Sequence, residues 1–255
     1  MTTTKTGTRE WSEHSVNWQL GCSNGCLYCY ARQQALRFKR IKTPEEWTRE
    51  RPLKARMPDY SRKIYSGVVM CPTQHDITPA NLPSSIEILT RLASNGNKLL
   101  IVSKPRMECI EPMLHDLKPW RDNVEFRFSI GCLDESLAAI WEPGAPRIFE
   151  RMQCLKLARL GGFTVSASCE PLLEPWKAPE LVDEVRYYGA GDIWLGCLNR
   201  LRSRVGWAEG DDAVAHAAVQ VALWQRPQKV REVFDSVKDV PGIRFKDSYR
   251  RILGI

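Results

Sequence analysis

The residues best suited to chemistry lie in one short run, Gly21-Cys22-Ser23-Asn24-Gly25-Cys26-Leu27-Tyr28-Cys29-Tyr30. Its cysteines are spaced C-x3-C-x2-C. Thiolates are ligands for soft metals, and three in so short a loop can converge on one centre. Gly21 and Gly25 permit the tight backbone turns this requires. The count of three is informative. A structural zinc site closes with four ligands, so it would need another, such as His14 or Cys71. An ordinary iron–sulfur cluster is also usually held by four cysteines. Three cysteines on a four-iron cluster leave one iron open to a small molecule. The other six cysteines (Cys71, Cys109, Cys132, Cys154, Cys169 and Cys197) are scattered, several in apolar stretches where a free cysteine behaves as a small hydrophobe.

Such a loop needs a rigid carrier. Hydrophobic patterning predicts strands at 16–20, 65–71, 98–103, 124–130, 163–169 and 192–197. Helical spacing fits 29–38, 84–94, 107–117, 146–160 and 178–188, the fourth with Ile148, Met152, Leu155 and Leu160 on one face. Strands alternating with helices imply parallel β/α units, built as a partial barrel or an open doubly wound sheet. Residues 212–223 and 227–237 also read as helices. One domain is therefore expected over 1–210, with a basic insertion at 40–63 and a helical C-terminal extension, 211–255, packed on it. In either architecture chemistry belongs at the C-terminal ends of the strands. The cysteine loop, Cys71, Lys104, Cys169 and Cys197 all fall there.

A C-x3-C-x-aromatic-C run after the first strand of a β/α domain resembles the radical S-adenosylmethionine (SAM) superfamily. The resemblance implies an α/β fold, a partial (β/α)6 TIM-type barrel. It implies a [4Fe–4S] cluster on Cys22, Cys26 and Cys29, with SAM bound at the open iron and cleaved reductively to a 5′-deoxyadenosyl radical. Tyr28 would pack near the adenine. After the second strand the chain reads Met70-Cys71-Pro72-Thr73-Gln74-His75-Asp76, which departs from the Gly-Gly-Glu-like motif of many members. The GCSNGCLYCYAR run is similar to the spore photoproduct lyase-like group, often labelled DNA repair photolyases. So is Glu142-Pro143-Gly144-Ala145-Pro146 with Arg147 and Arg151. That likeness covers about residues 14–200. It implies hydrogen-atom donation by Cys71, return of the hydrogen to SAM through Tyr28 and Tyr30, and Lys104 on the SAM carboxylate. Ser129, Ser168 and Glu170, at the ends of the fourth and fifth strands, become candidates to hold the SAM ribose or amino group. His75 and Asp76 either contact ligand or cap a turn. An electron donor such as flavodoxin or ferredoxin is implied.

Composition narrows the setting. Hydrophobic residues make up 43% and charged residues 26%, which excludes a disordered or collagen-like chain. No apolar run approaches the roughly 20 residues of a membrane span. The first residues carry no apolar signal region, so a reducing, cytoplasmic setting without disulfides is expected. Residues 1–66 hold 13 Lys/Arg against 6 Asp/Glu, the whole of the net +7, and the remainder is neutral. This basic quarter is either a solvated face or a surface for DNA or RNA. Trp11, Trp18 and Trp47 lie within it and either stack on bases or pack the end of the domain. The other readings are radical chemistry on a peptide, a tRNA or a small metabolite, or a non-catalytic metal-binding module.

Overall fold

A computed structural model describes residues 6–53, 60–205 and 212–255. The chain opens with a short turn, Gly7–Glu10, then β1 (His14–Ser15) and β2 (Gln19–Leu20). The cysteine loop follows and leads into α1 (Tyr30–Arg37), whose N-terminus is capped by the Cys29 sulfur accepting from Arg32 N. β3 (Arg51–Pro52) pairs antiparallel with β2. From there β/α units take over: β4 (Val68–Met70), α2 (Leu82–Ser94), β5 (Lys98–Ser103), α3 (Met107–Leu117) and β6 (Val124–Ser129). Next come α4 (Glu135–Trp141), α5 (Ile148–Leu160), β7 (Thr164–Cys169), α6 (Ala178–Tyr187) and β8 (Ile193–Leu195). The chain ends with α7 (Leu201–Val205), α8 (Ala213–Trp224), α9 (Pro227–Val237), β9 (Ile243–Phe245) and α10 (Asp247–Leu253).

Among the described residues, seven strands form one parallel sheet in the order β1-β4-β5-β6-β7-β8-β9. The order never reverses. A doubly wound sheet would reverse and leave a crevice at the switch point, so the partial barrel is the architecture. β1 and β9 are the two edges of the sheet and do not pair with each other. The turn before β1 reaches across to the far edge, where Glu10 Oε2 lies 2.7 Å from Lys246 Nζ, just after β9. Trp11 meets Trp194 of β8 with ring centroids 5.7 Å apart.

Strand alternation sorts side chains between helix side and barrel interior. On β6, Phe126 and Phe128 join Phe163 in the core under the helices, with centroids 5.7 and 5.2 Å apart. Arg127 points the other way and stacks on Trp11 and Trp194. Burying each large apolar side chain contributes about 1.5–3 kcal/mol, which fixes the strand register and so the interior set.

Several expectations change. The strand expected at 16–20 is divided: His14–Ser15 carries the sheet pairing, and Gln19–Leu20 turns away to β3. A seventh strand, β9, stands where only helical extension was expected; three residues are too few to show a period. α4 was not foreseen and owes its start to Asp134, which accepts from Ser136 N and Leu137 N. Leu160 is exposed, and Cys154 and Ala158 complete the buried face of α5 instead. Part of the basic insertion (54–59) and the expected boundary at 210–211 lie outside the described residues. Within the insertion, Ile41 and Trp47 are buried against Cys22, Ala31 and Ala35. Trp18 is buried as well, and Trp11 lies inside the barrel, so these tryptophans pack the protein rather than present a stacking face. No helix among the described residues is long and apolar enough to cross a membrane.

Candidate active site

A cavity of about 560 Å³ opens at the C-terminal ends of the strands. Cys22, Cys26 and Cys29 all line it. Their loop is fixed at three points. Cys22 N donates to Trp47 O at 2.8 Å, Leu27 N to Trp141 O at 2.9 Å, and Gly144 N to Asn24 O at 3.0 Å. Two glycines permit these approaches. Gly21 has φ +92, and a Cβ there would overlap the Arg49 carbonyl oxygen. A Cβ on Gly144 would overlap the Ser23 carbonyl oxygen.

Polar side chains tie this loop to its neighbours. Asn24 Nδ2 donates to Asp76 Oδ2 at 2.8 Å, and Asn24 Oδ1 accepts from Arg106 Nη2 at 3.0 Å. Arg106 also donates to Gly144 O at 2.6 Å. Asp76 accepts from Lys104 N at 2.9 Å, from Ile77 N at 2.8 Å and from the Ser103 hydroxyl. The segments after β4 and β5 are thereby held against the cysteine loop. Asp76 is the buried hub of the join, and it also lines the cavity. His75 is equally committed: Nε2 accepts from Trp18 N at 3.3 Å while Nδ1 faces Asp76 O at 3.0 Å.

Burial pushes the Cys26 thiol up to about 12 and Cys22 well above the ordinary thiol value. Such thiols ionise only against a cation, as a metal centre would supply. No three His, Cys, Asp or Glu side chains among the described residues are gathered closely enough to hold a single ion. His14 and Cys71, the possible fourth zinc ligands, are absent from the cavity lining. Three cysteine thiols on one cavity are a donor set that a thiophilic centre takes, and a [4Fe–4S] cluster fits it.

A buried charge network forms one wall. The Tyr28 hydroxyl donates to Glu142 Oε1, and Lys104 Nζ lies 3.6 Å from that oxygen. Arg151 Nη1 lies 2.5 Å from Glu142 Oε2. Glu142 and Arg151 are 4% and 1% exposed, so each charge relies on the others. Burial would lower Lys104, but Cys26 and Glu142 outweigh it and hold the ammonium above its usual value. Lys104 also lies 5.6 Å from the Tyr28 ring centroid. Arg151 donates from Nη1 to Ser129 O at 3.2 Å, which extends the network to β6.

On the adjacent side the Tyr30 hydroxyl donates to Thr73 O, and burial pushes its phenol up to about 12. Asn17 shapes that segment by accepting from Thr73 N and Gln74 N, both at 2.8 Å. Across the cavity, Ser129 and Ser168 are register partners on β6 and β7. Glu170 follows, 3.5 Å from Lys246 Nζ, and burial raises its carboxyl above the ordinary value. Residues 6–9 and Trp11 close the cavity on this side.

The structure thus brings together Cys22, Cys26, Cys29, Tyr28, Tyr30, Lys104, Ser129, Ser168 and Glu170 around one space. Cys71 is not brought to it. It is wholly buried in the core under the helices, and its sulfur faces Val69 O. Met70 and Pro72, its neighbours in alternation, line the cavity instead. Of the six scattered cysteines, Cys197 lines the cavity. Sequence reasoning missed Asn24, Arg106, Glu10 and Lys246 altogether, because no local period marks them. Glu142 and Arg151 entered only within a resembling stretch.

No family model matches the chain. The chain is 29% identical over 182 residues to the uncharacterized protein ORF301 of Acidianus two-tailed virus, covering 67% of this chain. It spans 59% of that relative's length. In fold it is similar to spore photoproduct lyase complexed with dinucleoside spore photoproduct, with TM-score 0.58 and 15% identity. That match covers 96% of this chain and 79% of the lyase. It is also similar to SuiB of Streptococcus suis bound to precursor peptide SuiA, with TM-score 0.51 and 11% identity. The second match covers 70% of this chain and 37% of SuiB. The fold is the one these proteins share.

Proposed function

We propose that this chain is a radical SAM enzyme of the photoproduct lyase-like kind, acting on a nucleic-acid substrate. The observation that carries the reading is the set of three thiols, two buried and Cys29 half-buried, on the same cavity as the Lys104–Glu142–Tyr28 network. When bound, a [4Fe–4S] cluster supplies the electron that breaks a carbon–sulfur bond of SAM and so generates the 5′-deoxyadenosyl radical. Cys22, Cys26 and Cys29 would hold that cluster. Lys104 offers its charge to the SAM carboxylate, with Glu142 and Arg151 fixing its position. Tyr28 presents its ring beside Lys104, while Ser129, Ser168 and Glu170 offer hydrogen bonds to the ribose and the amino group. Tyr30, on the cavity wall beside Cys29, would pass a hydrogen atom. We give Cys71 no part in this reading, since its thiol is buried facing Val69 O and does not line the cavity. The nucleic-acid assignment draws on the net +7 of residues 1–66 and on the fold of spore photoproduct lyase.

The test uses protein reconstituted anaerobically with iron and sulfide. After reduction, the paramagnetic resonance signal should shift on addition of SAM, and 5′-deoxyadenosine should accumulate. Cys22→Ala should lose both. A signal indifferent to SAM, or one colourless zinc in place of about four irons, would return the loop to a non-catalytic metal-binding role.

A further inference from the structure

Most of the buried or half-buried cations around the cavity have an acceptor within the protein. Lys104 and Arg151 share Glu142; Lys246 lies between Glu10 and Glu170; Arg106 donates to Asn24 and Gly144. Arg204 differs. It sits on α7, lines the cavity beside Cys29, Tyr30 and Glu170, and its Nε is fully buried without a hydrogen-bond partner. Its guanidinium makes no hydrogen bond or ion pair with any described residue. An unpaired buried guanidinium nitrogen is costly; Nε itself is closed off, so the nitrogens left to meet an anion from the cavity are the two Nη groups. Burial, with repulsion from Arg200, already lowers its pKa, as expected of a charge short of a partner.

The helix that carries it is held in place. Gln33 of α1 donates to Ser203 O, and Arg204 N donates to Arg200 O at 3.0 Å. Arg200 turns the chain into α7 with φ +57, a conformation few non-glycine residues adopt. Arg204 stands within electrostatic reach of Cys29, whereas Lys104 is coupled to Cys26. The two cations thus attend different cysteines of the loop, and Lys104 already serves the SAM carboxylate in the reading above.

We infer that Arg204 is an oxyanion subsite for the substrate, taking a phosphodiester group of a nucleic acid at the mouth of the cavity. The inference rests on the proposed radical SAM reading and adds the group by which the substrate is held. A planar guanidinium fork matches two phosphate oxygens. The surroundings favour a polyanion over a single carboxylate: Arg9 and Arg200 are exposed nearby, and the first quarter of the chain carries all the excess charge.

The experiment titrates reconstituted wild-type and Arg204→Gln protein with a fluorescein-labelled single-stranded oligothymidylate over a range of salt. Iron content is measured in the same samples, so that a misfolded variant is recognised. Arg204→Gln should bind about tenfold more weakly, and its slope of log affinity against log salt should be shallower by about 0.7, one phosphate contact on a single strand. Arg204→Lys keeps the charge without the fork, so it should regain the slope but not the full affinity. Unchanged affinity and slope in Arg204→Gln overturns the inference. Loss of the SAM-induced signal shift with oligonucleotide binding intact also overturns it, because Arg204 would then serve the SAM carboxylate. Tighter binding of a labelled acidic peptide overturns it too, in favour of a peptide substrate. Arg204-dependent oligonucleotide binding by a wild-type protein whose cluster ignores SAM upholds the anion subsite and removes the radical-enzyme reading.

Discussion

Glu142 decides the electrostatics at the scale of single residues. Burial works against its charge, but Lys104 and Arg151 outweigh burial and hold the carboxyl below its ordinary value. Replacing one member of a buried ion pair strands the others, so Glu142→Gln should cost about 3 kcal/mol in urea unfolding at neutral pH. The pH dependence has a definite sign. A carboxylate depressed in the folded state gives stability that is complete above its unfolded pKa, about 4.3. That stability is lost as pH falls through the lower folded value. The gap between wild type and Glu142→Gln should therefore be constant from pH 7 to about 5 and close in more acidic solution. A gap independent of pH would mean that the carboxylate is not charged in the folded protein. What sequence could show at this scale follows from the same chemistry. That the three cysteines and Lys104 share one cavity was legible, because a motif and a strand end locate them. The place of Cys71 was not legible: strand ends mark depth along the barrel, while the parity of the strand decides which side a thiol faces. Met70 and Pro72 have the cavity parity and Cys71 does not.

Elements position the cysteine loop by close backbone approach. The turn after α4 lies against residues 23 and 24, with Gly144 as the point of contact. Gly144→Ala places a methyl group on the Ser23 carbonyl, with no positive φ to confuse the effect. The expected outcome is a loss of about 1–3 kcal/mol in stability and incomplete iron loading under conditions that fill the wild type. Full loading with wild-type stability would show that the loop does not depend on this contact. The long units, such as β5, α3 and β7, were legible because each presents a clear apolar period to the core. The short elements were not. β1 and β9 have two and three residues, below the length at which alternation can be read. Only pairing with β4 and β8 makes strands of them. The division of 16–20 has the same origin, since an apolar run says that a segment is buried and not which partner it meets.

At the scale of the whole molecule, an open barrel must cover the space between its unpaired edges. Here the two ends of the chain do so together. Lys246 is 0% exposed, lies 2.7 Å from Glu10 Oε2, and donates to Gly7 O at 2.7 Å, with its ammonium 3.9 Å from the Trp11 ring centroid. Arg250 adds a contact to Glu10 at 2.5 Å. Glu10 and Lys246 are far apart in sequence, so no local pattern could have announced the pair; it exists only once the barrel is wound. A double-mutant cycle measures the fastening. Lys246→Met and Glu10→Gln should each lower stability by about 2 kcal/mol, since each removes the nearer partner of a buried charge, leaving Glu10 with Arg250 and Lys246 with Glu170. Together they should cost less than the sum, with a coupling of about 1–3 kcal/mol read from urea unfolding of the four proteins. Hydrogen exchange at residues 7–11 should speed up in both single variants, because the turn that walls the cavity is then held by fewer contacts. A coupling below about 0.5 kcal/mol, with unchanged exchange in this turn, would mean that the wall stands without the charge pair and that closure depends on Trp11 packing between Arg127 and Trp194.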